Sequence, residues 1–452
     1  MSNKKFLLCV IVLALAVFAL SGCGGSSSSF YYDDSQLVPD NPTSGDQNIP
    51  TPPTSGDQNP PSPPTSGDQN PPDQPGGDSG STDTGEETQS TSDEIIIVTD
   101  SDTHAIYNTG SGVSATYSNL EIYKSGASSS GSENADFYGT NAAVLSSNGA
   151  VITLSDSYIS TDARYANAVF AYNGTVNVSN TTIKTYSSNS GGIMTTGGGT
   201  MNASDLNITT SGGSAAAIRS DRGGGTVTVD GGTYTTSGTG SPVIYSTANI
   251  TVSGADLEST AAQGVVIEGS NSVTLEDCNL TANHTKLNGQ DSSYQGVMIY
   301  QSGSGDASDG TGTFTMKGGS FINQNGAVFF VTHTTAIINL EDVTITNNGG
   351  DLFLNSAKAN WGNGGAVTLN AANQEITGNI TIDSTSSLNL NLSSGSTFEG
   401  AINSSGTAGT VAVNIASGST WTLTGNSYLS SLTNNGTIEK GTYTLYVNGV
   451  AQ

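Results

Sequence analysis

Arginine beside aspartate is the pairing in this chain of 452 residues that could act on a polysaccharide. Arg219-Ser220-Asp221-Arg222, with Asp162 and Arg164 two repeats earlier, sets cationic side chains next to carboxylates. Eliminative cleavage of an acidic glycan needs an Arg or Lys base beside carboxylates that bind calcium. A solvated, salt-bridged turn uses the same residue types, and that reading is preferred here. Glycosidic hydrolysis needs two carboxyl groups roughly 5–9.5 Å apart, whereas Asp and Glu are scattered singly over turn segments. Glu276-Asp277 and Glu341-Asp342 fall at equal offsets in their repeats, which makes them outward turn residues. His104, His284 and His333 share no metal-ligand spacing. No Ser-His-Asp order, phosphate loop or Cys/His cluster occurs. The expectation is a protein that is not an enzyme, with no catalytic residue, metal or cofactor.

The elements that would carry such residues are set by a repeat between Ala150 and Asn348. Its copies start at Ile152, Val176, Met201, Val227, Ile250, Val273, Phe314 and Ile338. Two positions on come Leu154, Val178, Ala203, Val229, Val252, Leu275, Met316 and Leu340. Seven positions on come Ile159, Ile183, Ile208, Tyr234, Leu257, Leu280, Phe321 and Ile345. Starts are 23 to 26 residues apart, except for 41 between Val273 and Phe314, where an insertion is required. Alternation of apolar residues with Thr, Asn and Ser is strand patterning, and the Gly-Thr, Asn-Gly and Gly-Gly pairs between runs are turns. A fixed period of this length is one supersecondary unit stacked on itself. The fold class expected is all-β, a single-stranded right-handed parallel β-helix, with three strands per rung. Insertions at about 124–140, 283–295 and 301–312 are rich in Gly, Ser, Asp or Asn and read as loops.

The N-terminus is a targeting segment. Lys4 and Lys5 precede an apolar run from Phe6 to Leu20, too short for a comfortable membrane span. Leu20-Ser21-Gly22-Cys23 closes it and resembles the lipobox of bacterial lipoproteins. That resemblance implies a signal peptide over 1–22, cleavage before Cys23, acylation of the Cys23 sulfur, and retention on a membrane. Gly24 after the cysteine implies the outer membrane or cell surface. The competing reading is an ordinary signal peptide with an incidental cysteine. Residues 23–94 are then a linker, with Pro-Thr-Ser-Gly-Asp-Gln-Asn repeated from Pro42, Pro53 and Pro64. Thirteen acidic residues and no Lys or Arg lie between Gly24 and Glu94. Proline, small polar residues and self-repulsion leave little to bury. Such a tether would span roughly 45–50 Å as a flexible coil.

Composition narrows the partners. A net charge of −27 excludes nucleic acid, because phosphate would be repelled. A neutral glycan, a protein on another surface, or the membrane reached through the lipid remain. Cys278 has no partner once Cys9 leaves and Cys23 is acylated, so it is a small residue in a rung.

Beyond Asn348 the period loosens, giving 95–348 as the regular β-helix and 349–452 as irregular rungs and a cap. Ser417-Gly-Ser-Thr-Trp421-Thr-Leu-Thr-Gly-Asn426, followed by Tyr428-Leu-Ser-Ser-Leu432-Thr-Asn-Asn-Gly-Thr-Ile438, is similar to the last rungs of autotransporter-type adhesin passengers. Gly225 to Tyr234 resembles the wider pectate-lyase-like β-helix proteins of bacterial surfaces. These resemblances imply fold and location, not ligand. Autotransporters continue into a membrane β-barrel; here lipid on Cys23 is expected to serve as the anchor. The function expected is adhesion or structural display, with a polysaccharide lyase or glycoside hydrolase as the alternative.

One further strand per repeat completes the reading: Val144-Leu145, Val169-Phe170, Ile193-Met194, Ile218-Arg219, Val243-Ile244, Val265-Val266, Val297-Met298, Val328-Phe329 and Leu352-Phe353. Alternation sends the second members outward, beside a column holding Tyr172, Glu268 and Tyr300. An apolar stripe of that length marks an interaction surface if it is open. Phe170, Tyr172, Met298, Tyr300 and Phe329 are then the ligand-binding candidates. Loops at 283–312 folding over it are the equal alternative.

Overall fold

Short alternating strands bury their apolar positions only by stacking, and this chain stacks them in three walls. The computed structural model describes residues 94–129, 132–289 and 291–452. The expected signal peptide, Cys23 and nearly all of the expected linker lie outside the described residues. Val144–Ser147, Val151–Ser155 and Tyr158–Thr161 make one rung. Each pairs in parallel with its counterpart in the next rung. We number the walls one, two and three in the order the chain visits them; they contain 11, 13 and 10 strands. The fold is an all-β parallel β-helix.

The repeat columns are its interior. Ile152 stands against Val176, and the column runs in register through Met201, Val227, Ile250, Val273 and Phe314 to Ile338. Val273 and Phe314 are rung neighbours although 41 residues separate them, because the insertions lie outside the ladder. The third column forms the inner side of wall three, from Ile122 through Tyr234 to Ile345. All of these except Ile345 are buried.

The corner between walls two and three explains the acidic pairs. Asp156, Asn180, Asp205, Asp277 and Asp342 all have φ between 45° and 57° there. Asn, Asp and Gly tolerate this left-handed conformation best, so Asp277 and Asp342 turn the chain. The next residue is buried: Ser157, Thr181, Leu206, Cys278 and Val343. Ser157 and Thr181 return their hydroxyls to the carbonyls of Ser155 and Ser179. Cys278 occupies the same place, its thiol 3.3 Å from the Glu276 carbonyl.

Wall two continues unbroken to Ser431–Asn434, whereas the ladder of wall three stops at Thr344–Asn347. Four later strands, from Glu375–Thr377 to Thr437–Glu439, form a separate ladder. At the break the buried Gln374 amide accepts from Val343 N–H and donates to the Val343 carbonyl, acting as an extra peptide. Phe398 and Trp421 stack at 5.8 Å inside the last rungs. Val450–Ala451 turns back antiparallel on Leu445–Val447 at the end.

The insertion expected as a loop at 124–140 contains a helix, α1, over Ser132–Tyr138. Seven residues are too few for helical periodicity to show in sequence. Its backbone ends in Gly139 (φ 68°), whose N–H bonds the Ala135 carbonyl.

Candidate functional site

Wall one decides the fate of the apolar stripe. Its inner column runs Val144, Val169, Ile193, Ile218, Ile244, Val265, Val297, Phe329, Leu354. Its outer column runs Leu145, Phe170, Met194, Arg219, Tyr245, Val266, Met298, Phe330. Ile244, Phe329 and Phe353, expected outside, are therefore core residues. Phe329 packs among Phe314, Phe321 and Phe353 at 5.5–6.0 Å between ring centres. Phe330 faces outward in its place. A one-residue slip inverts every side chain of a strand, and Ala327-Val-Phe-Phe-Val-Thr332 is too uniformly apolar to show its own phase.

The stripe is also covered. Leu145, Phe170 and Met194 are buried with Ala142 and flanked by Tyr172. Tyr172 stays half-exposed, edge-on to Tyr138 of α1 at 5.2 Å. A side chain at Gly139 would meet Phe170 at 2.8 Å and Leu145 at 2.9 Å, so α1 closes directly on the stripe. Further along, Val266, Met298, Tyr300 and Phe330 are buried under Trp361, with Tyr300 and Trp361 ring centres 5.2 Å apart. Of the five candidate residues, Phe170, Met298 and Tyr300 are shielded by insertions, Tyr172 is partly shielded, and Phe329 is interior. What stays open along this column is Tyr107 at its start and part of Tyr172.

Between the two covers lies a charged seam. Arg219 donates to Asp136 of α1 at 3.1 Å and to Asp221 at 2.9 Å, all three being buried. Arg222 reaches Asp306 at 2.8 Å and lies 4.0 Å above the Phe137 ring. Burial pushes the Asp221 carboxyl up to about 7 against the pull of Arg219. Burial also raises Asp136. Burial works against the charge on Arg219, but Asp136 and Asp221 outweigh it and hold its pKa above the ordinary value. The expected salt-bridged turn is thus present but buried rather than solvated. Asp162 and Arg164 make no ion pair with it: Asp162 accepts from Ser187, and Arg164 lies over Tyr165, acting on Asp136 only through its charge.

Two more buried polar sets fasten the covers. Tyr245 and Tyr300 donate to Glu268 at 2.6 and 3.0 Å, and Ser302 of the 301–310 loop bonds the other carboxylate oxygen. Under the 283–294 insertion, Asp291 accepts from Gln263 and Gln295. His284 takes the Gln295 N–H on Nδ1, so its neutral ring carries the proton on Nε2, 3.5 Å from Asp291. Burial pushes His284 down to about 4 and Asp291 up to about 6. The sequence does not single out Asp136, Tyr245, Glu268 or Trp361 for these roles: Asp136 and Trp361 lie in segments that do not repeat, and Tyr245 reaches Glu268 because it, not Ile244, faces outward.

Wall two is different. Its central outward row reads Thr116, Thr153, Asn177, Asn202, Thr228, Thr251, Thr274, Thr315, Asn339, Asn370, Asn391, Asn414, Thr433, one residue per strand. Asn amides join neighbouring rungs, with Asn370 donating to Asn339 and Asn391 to Asn370, both at 2.8 Å. The row two residues earlier holds Ser, Thr and Asn with only Val151, Ile337 and Ala412 apolar. Neither row contains a charged or aromatic residue, and none of its members is buried. The signal was present one position after each repeat start.

No family model matches the chain, and no curated protein or solved structure does.

Proposed function

We propose that this chain is a lipid-anchored bacterial surface β-helix that adheres through wall two. The observation that carries the proposal is the pair of adjacent uncharged Thr/Asn/Ser rows running over thirteen strands, bordered on one side by a third outward row that carries Asp230, Glu276, Lys317 and Glu341. A protein of net charge −27 keeps every charge off those two rows, which sets them, rather than the whole wall, apart as a contact surface. The paired rows on wall three, by contrast, carry Glu121, Lys184, Asp256 and Glu258. The lipobox-like Leu20-Ser21-Gly22-Cys23 supports the anchor, and the Pro- and Asp-rich linker supports display away from the membrane. Catalysis is disfavoured because Arg219 and Arg222 are held by Asp136, Asp221 and Asp306, and Arg164 makes no ion pair with that cluster.

Two measurements test the proposal. Cys23→Ser should move the full-length chain out of the membrane fraction or leave it unprocessed. Cells displaying the native chain should adhere to a surface that cells displaying Thr228→Lys/Thr251→Lys do not hold. Normal processing and membrane retention of the cysteine variant would remove the anchor. Undiminished adhesion by the lysine variant would remove wall two as the contact face.

A further inference from the structure

The chemistry of the two rows points to the surface they meet. This inference rests on the adhesive reading of wall two and names its ligand. Thr and Ser hydroxyls and Asn amides each donate and accept hydrogen bonds, whereas carboxylates only accept and Lys and Arg only donate. In these rows the charged, one-way groups are missing and the two-way groups remain. Asn370 and Asn391 each use one donor and one acceptor in the ladder, leaving a second N–H and a second lone pair for the outside. β-Branched threonine is stiff about χ1, so its hydroxyls are held rather than floating.

Geometry adds regularity. The strands follow one another without a register shift across wall two. Rungs are therefore about 4.8 Å apart, and the rows, two residues apart along each strand, are roughly 6.7 Å apart. This is a rigid two-dimensional grid over about 55–60 Å of the solenoid. One hydroxyl contact contributes little after exchange with water, so such a face is weak toward a single small molecule. It gains only where the partner repeats on the same few-ångström scale and many contacts form together.

A crystalline sugar surface would offer flat C–H faces, which aromatic rings meet best, and these rows contain no ring. An ice surface offers only oxygen atoms that donate and accept, at repeats of the same order. We infer that wall two binds ice, using its Thr/Asn/Ser grid to hold the cell that carries the protein against the crystal.

The test uses cells carrying the full chain, presented to a slowly advancing ice front, with cells lacking it as the reference. Native cells should be taken into or held on the ice, and Thr228→Lys/Thr251→Lys should reduce capture to the reference level. Lysines on wall three, Thr209→Lys/Thr235→Lys, should leave capture unchanged; the purified variants should keep the native β-sheet spectrum and melting temperature. Exclusion of native cells from ice, or equal capture of both variants, overturns the inference. If native cells are excluded from ice yet bind microcrystalline cellulose or chitin in a way the wall-two lysines abolish, the adhesive reading stands and ice is wrong. If the wall-two lysines change no adhesion at all, both fail.

Discussion

Phe329, not Val328, stands opposite Val297 across adjacent strands of wall one. That single pairing places a phenylalanine ring in the core and turns Phe330 toward Trp361 and the covering insertions. It converts an expected recognition stripe into a second, lateral core between the solenoid and its loops.

Core substitutions should separate the two layers. Phe329→Ala removes a fully buried ring and should cost about 3–5 kcal/mol, read as a large drop in melting temperature. Tyr172→Ala, at a half-exposed position beside α1, should cost much less. Equal losses from the two would contradict the placement of Phe329.

A buried charge tests the rung register. Val252 is flanked by Val229 and Leu275 and fully buried. Val252→Asp should disturb both ladders and destabilise by several kcal/mol, or carry a strongly raised pKa. A variant that melts like the parent with an ordinary carboxyl would show the residue faces solvent.

Gly139 tests the cover. With φ at 68° and Phe170 and Leu145 within 3 Å of any added side chain, Gly139→Val should lift α1. The expected result is increased binding of an apolar dye with the β-sheet spectrum retained. No change in dye binding would mean that α1 does not seal the stripe.

The charged seam predicts a pH dependence. The Asp221 pKa rises on folding from 3.8 to about 7, so the native state binds the proton more tightly than the unfolded chain. Its contribution to stability is therefore greatest below 3.8 and declines as pH rises to about 7. Asp291, raised to about 6, has the same sign, whereas His284, lowered to about 4, favours the fold above its ordinary 6.5. Asp221→Asn should flatten part of the decline in melting temperature between pH 4 and 7. An unchanged profile would show that Asp221 titrates normally.

The Asn ladder is the last test. Asn370→Ala breaks the bonds to Asn339 and Asn391, and should cost about 0.5–1.5 kcal/mol per bond lost. Asn370→Asp, by leaving an acceptor facing the Asn339 carbonyl, should cost more. The reverse order would argue against a hydrogen-bonded row.

The sequence by itself determined the solenoid, its period and the interior of walls two and three. Ile152, Leu154 and Ile159 recur in the next rung as Val176, Val178 and Ile183, and local alternation is enough to assign a face. It also held the Thr/Asn row, since a position that recurs in every rung must form a column. What it could not fix was the phase of Ala327–Thr332, where six apolar or small residues in succession leave alternation silent. Nor could it show that Asp136 meets Arg219, 83 residues away, or that Trp361 covers Tyr300. Those contacts come from insertions that occur once each. No periodicity announces them, and only tertiary packing brings them onto wall one.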